Sequence, residues 1–221
     1  MTVNVTADLF ETVGDARPPR ETIAEGAVLL RGFAGAFETE LLQALRDIVK
    51  QSPFRHLITP GGHRMSVAMT NCGSLGWVSD PSGYRYDGID PDSGAPWPAM
   101  PPVLCRLATA AAEEGGFNRF TPEACLINRY VPGAKLSLHQ DKDELDFAAP
   151  IVSVSLGLPA TFLFGGLKRN DTPRRYRLEH GDVVVWGGPS RLVYHGVAPL
   201  ADGEHGTLGR QRINLTFRKV R

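Results

Sequence analysis

From Ala124 onward the chain breaks into short β-rich runs at nearly even spacing, and this pattern limits the folds open to it. The runs are Ala124 to Tyr130, Lys135 to His139, Ile151 to Leu156, Thr161 to Phe164, Arg175 to Leu178, Val183 to Trp186, Leu192 to His195 and Arg212 to Arg218. Turn signals separate them: Val131-Pro132-Gly133, Gly157-Leu158-Pro159, Gly165-Gly166, His180-Gly181-Asp182 and Gly187-Gly188-Pro189. Glycine accepts the positive φ that turns demand and proline fixes its own φ, so each cluster ends a strand for a stated reason. About eight strands at such spacing imply a sandwich or barrel, and a jelly roll closes its sheets with that number.

The N-terminal half has a different texture. Glu38 to Gln51 carries Leu41, Leu42, Leu45, Ile48 and Val49 at helical spacing and stops at Ser52-Pro53, which predicts an amphipathic helix whose stripe packs on the core. A second helix is predicted from Pro101 or Pro102 to Gly115-Gly116, with proline in its first turn and glycine past its end. Helices first and strands after place the helices against one sheet. Ala27 to Arg31 and Ser66 to Thr70 are expected as short strands, and residues 1 to 26, with Arg17-Pro18-Pro19-Arg20, as an irregular arm. Residues 71 to 100 hold Gly73, Gly76, Gly83, Gly88 and Gly94 with Pro81, Pro91, Pro96 and Pro98, too many breakers for long regular elements. A stretch of that kind inside a compact domain is a lid or binding loop, and Trp77, Tyr84, Tyr86 and Trp97 argue against disorder. Large aromatics there serve either as anchors, the reading taken for Trp97, or as faces on which a flat ligand stacks.

At 221 residues the chain suffices for one well-buried core, and a single domain spanning residues 1 to 221 is expected. Lys plus Arg balances Asp plus Glu at 24 each, so the overall charge cannot coat nucleic acid; any polyanion must meet a local patch. The densest patch, Lys168-Arg169 with Arg174-Arg175 and Arg177, reads as a phosphate grip or as a solvated hairpin surface. Cys72, Cys105 and Cys125 have no C-x-x-C spacing, which argues against a zinc finger or a disulfide framework and for a reducing compartment. Met1 to Glu11 lacks the basic and apolar regions of a signal peptide, and no apolar run approaches a membrane span. A cytoplasmic monomer without a membrane partner is expected.

The chemistry concentrates in Leu136-Ser-Leu-His-Gln-Asp-Lys-Asp143. Alternate side chains of an extended strand share a face, so His139 and Asp141 point together while Leu136 and Leu138 pack behind them. One imidazole and one carboxylate make half a metal site; a second histidine completes the facial arrangement that leaves positions open on non-haem iron. His195 is the candidate. His180 is the rival, but it lies in a His-Gly-Asp turn and is placed outside the site; His56, His63 and His205 have no interpretable spacing. A His-x-Asp pair alone is weak evidence, since chance supplies one in many chains.

The last run, Arg212-Ile-Asn-Leu-Thr-Phe-Arg218, sets Ile213, Leu215 and Phe217 on one face and Arg212, Asn214, Thr216 and Arg218 on the other. A half-buried edge strand shows the same alternation. The two arginines stand about 20 Å apart on an extended strand, too far to grip one carboxylate, yet from both ends they suit the two carboxylates of a small diacid.

Taken together, His139-x-Asp141, His195 and Arg212-x-Asn214-x-Thr216-x-Arg218 resemble the signature of the AlkB family of Fe(II) and 2-oxoglutarate dependent dioxygenases. The likeness extends through Ser52 to Arg55, Met65 to Cys72, Trp97 to Pro101, Cys125 to Tyr130, Pro132 to Asp143, Gly165 to Asp171 and Glu179 to Gly188, and so covers nearly the whole chain. It implies a mainly β double-stranded β-helix, or jelly roll, over about residues 124 to 218, with N-terminal helices and a nucleotide-recognition lid over about residues 54 to 100. It also implies Fe(II), 2-oxoglutarate and O2 as cofactors and oxidative removal of N-linked alkyl groups from bases such as 1-methyladenine and 3-methylcytosine, releasing formaldehyde, succinate and CO2. Single-stranded DNA is the expected partner, with RNA as a second substrate. A hydroxylase of RNA, protein or a small molecule, or a non-catalytic jelly-roll module, are the alternatives.

The same resemblance assigns roles. His139, Asp141 and His195 match the iron ligands. Arg212, helped by Tyr130 and Asn214, matches the residue on the distal carboxylate of 2-oxoglutarate; Arg218 and Asn128 match those near the chelating carboxylate, and Thr216 belongs to the same strand motif. Trp77, Tyr84, Tyr86, Asp143 and Arg169 match substrate contacts. An N1-methylated adenine is cationic, so Asp143 can face its ring and Trp77 or Tyr84 can stack on it. The methyl must reach iron, so the nucleotide has to leave its stack.

Overall fold

The computed structural model describes residues 17–221. The first described strand, β1 (Arg20–Ala24), pairs with β2 (Ala27–Leu30) through a tight turn in which Gly26 adopts φ 71°. This corrects the expected irregular arm: the prolines stop short of Arg20, and Ile23 is buried on the inner side of the sheet. Residues 1–16 of that arm lie outside the described residues. The two helices fall where periodicity and breakers put them, α1 at Glu38–Gln51 and α2 at Pro102–Glu114.

Between the helices, β3 (Ala68–Gly73) is followed by a hairpin of β4 (Gly76–Asp80) and β5 (Gly83–Asp87). The glycine and proline count argues against long regular elements here, and these two strands are five residues each. The hairpin accommodates it because Gly83 sits at the turn with φ 128°, while the prolines lie at the turn or beyond β5. The remaining strands are β6 (Ala124–Tyr130), β7 (Leu136–His139), β8 (Ile151–Gly157), β9 (Ala160–Phe164), β10 (Arg174–Leu178), β11 (Val183–Trp186), β12 (His195–Val197) and β13 (Arg212–Arg218). β12 begins where the sequence reading ended its strand, because a 3-10 turn at Gly188–Ser190 and a Val193-to-Ser190 backbone hydrogen bond occupy the preceding residues.

Two antiparallel sheets form the body. The larger runs β1-β2-β11-β8-β13-β6-β3 and the smaller β10-β9-β12-β7. The larger sheet alternates strictly. Val152, Val154, Val183, Val185, Ile127, Ile213, Leu215 and Phe217 face the helices and join Leu41, Leu45, Leu104 and Leu107 in one core. Opposite side chains face the smaller sheet, where Leu29, Ile151, Val184 and Trp186 pack on Phe162, Phe164 and Leu178. Helices, large sheet and small sheet are therefore stacked in three layers, the antiparallel sandwich of a jelly roll.

β13 is no edge strand. It lies between β8 and β6, and all seven of its residues are buried. Its polar face is thus turned into the interior, where an unfilled hydrogen-bonding capacity must be met by neighbours or by a ligand. No helix among the described residues is long and apolar enough to cross a membrane.

Candidate active site

The inner face of the large sheet presents Asn128 and Tyr130 from β6, Ser153 and Ser155 from β8, and Arg212, Asn214, Thr216 and Arg218 from β13. All of these but Ser155 floor a cavity of about 650 Å³ whose walls include His139, Asp141, Asp143, Trp186, His195, Trp77, Tyr84 and Arg169. That size suits a small molecule or an extruded base.

Pairing of β12 with β7 sets His195 directly across from His139. Their rings lie 4.4 Å apart, and the ligand atoms of His139, Asp141 and His195 all lie within 4.8 Å of one another. Asp141 Oδ1 is 3.6 Å from His139 Nε2, and Oδ2 is 3.9 Å from His195 Nε2, close enough for one ion to bridge. Each imidazole gives its Nδ1 to a backbone carbonyl, of Ser137 at 2.9 Å and of Val193 at 3.0 Å. That bond fixes the proton on Nδ1 and leaves the Nε2 lone pair for a metal. Burial, reinforced by His139, pulls the pKa of His195 down to about 4, so its ring is neutral at pH 7. Trp186 packs edge-on against His195 at 4.9 Å and holds its orientation.

Asp141 reaches this cluster by a route the sequence did not suggest. β7 ends at His139, so no strand geometry aligns the two side chains. Arg218 does it instead, donating to Asp141 Oδ2 from Nε at 3.0 Å and Nη2 at 2.7 Å. Burial works against ionising Asp141, yet the guanidinium holds its carboxyl well below the usual range. Asp143 likewise lies outside any strand, and the N–H of Trp77 fixes its carboxylate at 2.8 Å. Trp77 stacks on exposed Tyr84 with ring centroids 5.4 Å apart. Tyr86 does not line the cavity; its hydroxyl donates to buried Glu144 at 2.5 Å. Arg169 is exposed at the rim above Tyr194, and His180 lies far from the cluster, accepting from the Gly157 amide.

Arg212 decides what else the cavity accepts. Its side chain is 1% exposed, donates to Ser155 Oγ at 2.9 Å, lies 5.0 Å over the Tyr130 ring, and has no carboxylate partner among the described residues. Burial lowers its pKa, but a guanidinium stays charged. Buried polar atoms without a partner among the described residues include its own Nη1 and Oη of Tyr130, its partner across β6, with Asn128 Oδ1 and Arg218 Nη1 further along the same face. An uncompensated interior cation among such orphans is costly unless an anion completes it. Asn214 contributes differently, its amide already engaged by Ser153 Oγ, Val154 O and Thr216. Glu144, Arg191 and Gln140 were missed by sequence reasoning.

These features fit a dicarboxylate beside a three-ligand metal centre, and comparison with known proteins agrees. The pattern of the 2OG-Fe(II) oxygenase superfamily matches residues 26–218. The alpha-ketoglutarate-dependent dioxygenase AlkB of Escherichia coli (strain K12) is 59% identical over 96% of this chain and 97% of its own length. The chain belongs to the AlkB family. An AlkB homolog of Caulobacter vibrioides is 45% identical over 91% of this chain and 93% of its own. The solved structure of OsALKBH1 has a TM-score of 0.79 at 28% identity, covering 91% of this chain and all of that one. As an AlkB-family protein the chain is a 2-oxoglutarate dependent dioxygenase, and Fe(II), 2-oxoglutarate and O2 are the family's cofactors.

Proposed function

We propose that this dioxygenase removes alkyl groups from ring nitrogens of bases in single-stranded DNA, as a cytoplasmic monomer. The observation that carries the reading is one cavity holding a His139-Asp141-His195 cluster, the buried Arg212 with no carboxylate partner among the described residues, and a mouth formed by stacked Trp77 and Tyr84 with Asp143. A methyl on a ring nitrogen is a poor target for hydrolysis, so oxidation of its carbon is the better route.

His139 and His195, through Nε2, and Asp141 would hold Fe(II). Arg212 with Tyr130 would take the distal carboxylate of 2-oxoglutarate, and Asn128 and Arg218 would bound its other end. Bound iron, with 2-oxoglutarate and O2, supplies oxidation of the alkyl C–H bond, with succinate and CO2 as by-products. The protein does the rest. Trp77 and Tyr84 offer flat faces to an extruded cationic base, Asp143 offers the opposite charge, and the buried walls keep water from the reacting carbon. The hydroxylated carbon then departs as formaldehyde when its bond to nitrogen breaks.

Formaldehyde release from a 1-methyladenine oligonucleotide tests this. It is expected to require Fe(II), 2-oxoglutarate and O2 and to vanish in His139→Ala. Release that persists in that variant overturns the proposal.

A further inference from the structure

The small sheet does not by itself fix Asp141 relative to His195. Pairing of β7 with β12 is confined to His139↔His195 and Leu136↔Val197, with an irregularity between them. Beyond His139 the chain leaves the ladder, and no backbone hydrogen bond among the described residues joins the two segments there.

Two crossed side chains rejoin them. Gln140 donates its amide to Leu192 O at 2.6 Å. From the facing segment, Arg191 donates through Nη1 to Asp141 O at 2.7 Å, through Nη2 to Glu144 Oε2 at 3.0 Å, and through Nε to Ala149 O at 3.1 Å. Its side chain is 3% exposed and lies over the Phe147 ring at 5.3 Å. Three of these acceptors, Asp141 O, Glu144 Oε2 and Ala149 O, are thus set by one rigid, planar group. A buried ion pair adds little to stability over a packed apolar pair, whereas a planar fork meeting two backbone carbonyls and a carboxylate dictates position.

We propose that Arg191 and Gln140 are positioning residues that hold the Asp141 segment at the distance from His195 a metal ion needs. This rests on the reading of His139, Asp141 and His195 as metal ligands. Neither residue touches the ion; each acts on the backbone of a ligand-bearing segment.

The test is Mn(II) affinity of the full chain, read from the free-ion electron paramagnetic resonance signal, beside metal-free melting by circular dichroism. Loss of a group that orients a metal ligand weakens binding by roughly 10- to 100-fold. That loss is expected in Arg191→Met and in Gln140→Leu, with Gln140→Leu melting within a few degrees of the parent. Arg191→Lys keeps the charge without the fork and is expected to remain weakened. Parent-like affinity in Gln140→Leu, or full recovery in Arg191→Lys, overturns the proposal. Should Arg191→Met fail to fold, Gln140→Leu decides alone. His139→Ala separates the premise: if it binds Mn(II) as tightly as the parent, the metal-centre reading fails instead.

Discussion

At the residue scale, Arg212 is a cation that the fold removes from water without giving it an anion. Replacing it with methionine removes a charge that costs the empty protein stability, so metal-free melting is expected to hold or rise. The KM for 2-oxoglutarate is expected to climb about 100-fold, the worth of a charge-assisted pair, in a succinate-release titration. Asp143 faces the mouth, and Asp143→Asn is expected to lower kcat/KM for a cationic methylated base by about tenfold while sparing an uncharged one. These residues were legible because their types and spacings carry the chemistry. Glu144, Arg191 and Gln140 were not, since each is defined by a partner that only folding supplies. Glu144 sits in an alternating run of charges that resembles solvated surface, yet it is 4% exposed among Tyr86, Arg191 and Arg218.

At the scale of elements, β12 approaches β7 closely. A Cβ on Gly196 would stand 2.6 Å from the backbone oxygen of Leu136, so Gly196→Ala must push the strands apart. His195 moves with them, and Mn(II) affinity is expected to fall more than tenfold. The segment around the β4-β5 hairpin depends on its own fastening: Arg55 grips buried Asp90 through Nη1 at 2.8 Å and Nη2 at 2.5 Å, and Trp97 donates to Asp87 O at 2.9 Å. Burial opposes the charge on Asp90, but Arg55 and neighbouring donors hold its pKa below the ordinary 3.8. A carboxylate with a depressed folded pKa stabilises above the ordinary value and loses that contribution as pH falls through the folded one. Acidification below 3.8 is therefore expected to loosen this segment, read as a change in tryptophan fluorescence. Arg55→Met is expected to cost about 3 kcal/mol in urea melts at neutral pH by stranding the carboxylate. The helices were legible from period and breakers. β1 and the β4-β5 hairpin were not, because proline and glycine counts cannot tell a turn between strands from a loop without them.

On the scale of the whole molecule, the large sheet is shared by the helical core on one side and the cavity on the other. Ligands that fill the cavity should therefore stabilise the helices as well. With Mn(II) and 2-oxoglutarate at about 100 times their dissociation constants, each is expected to add about 2.7 kcal/mol, seen as a higher melting temperature of the helical signal. β13 makes this sharing strict, since its odd-numbered residues close the helical core and its even-numbered ones floor the cavity. One extra residue ahead of Leu215 within the strand would trade the two sets, driving guanidinium groups beneath α1 and α2 and greasing the cavity with aliphatic carbon. The same residue added to the exposed 201–204 stretch would be absorbed without harm. Point changes can silence this chain one group at a time, whereas a slip of β13 takes its shape and its chemistry in a single event.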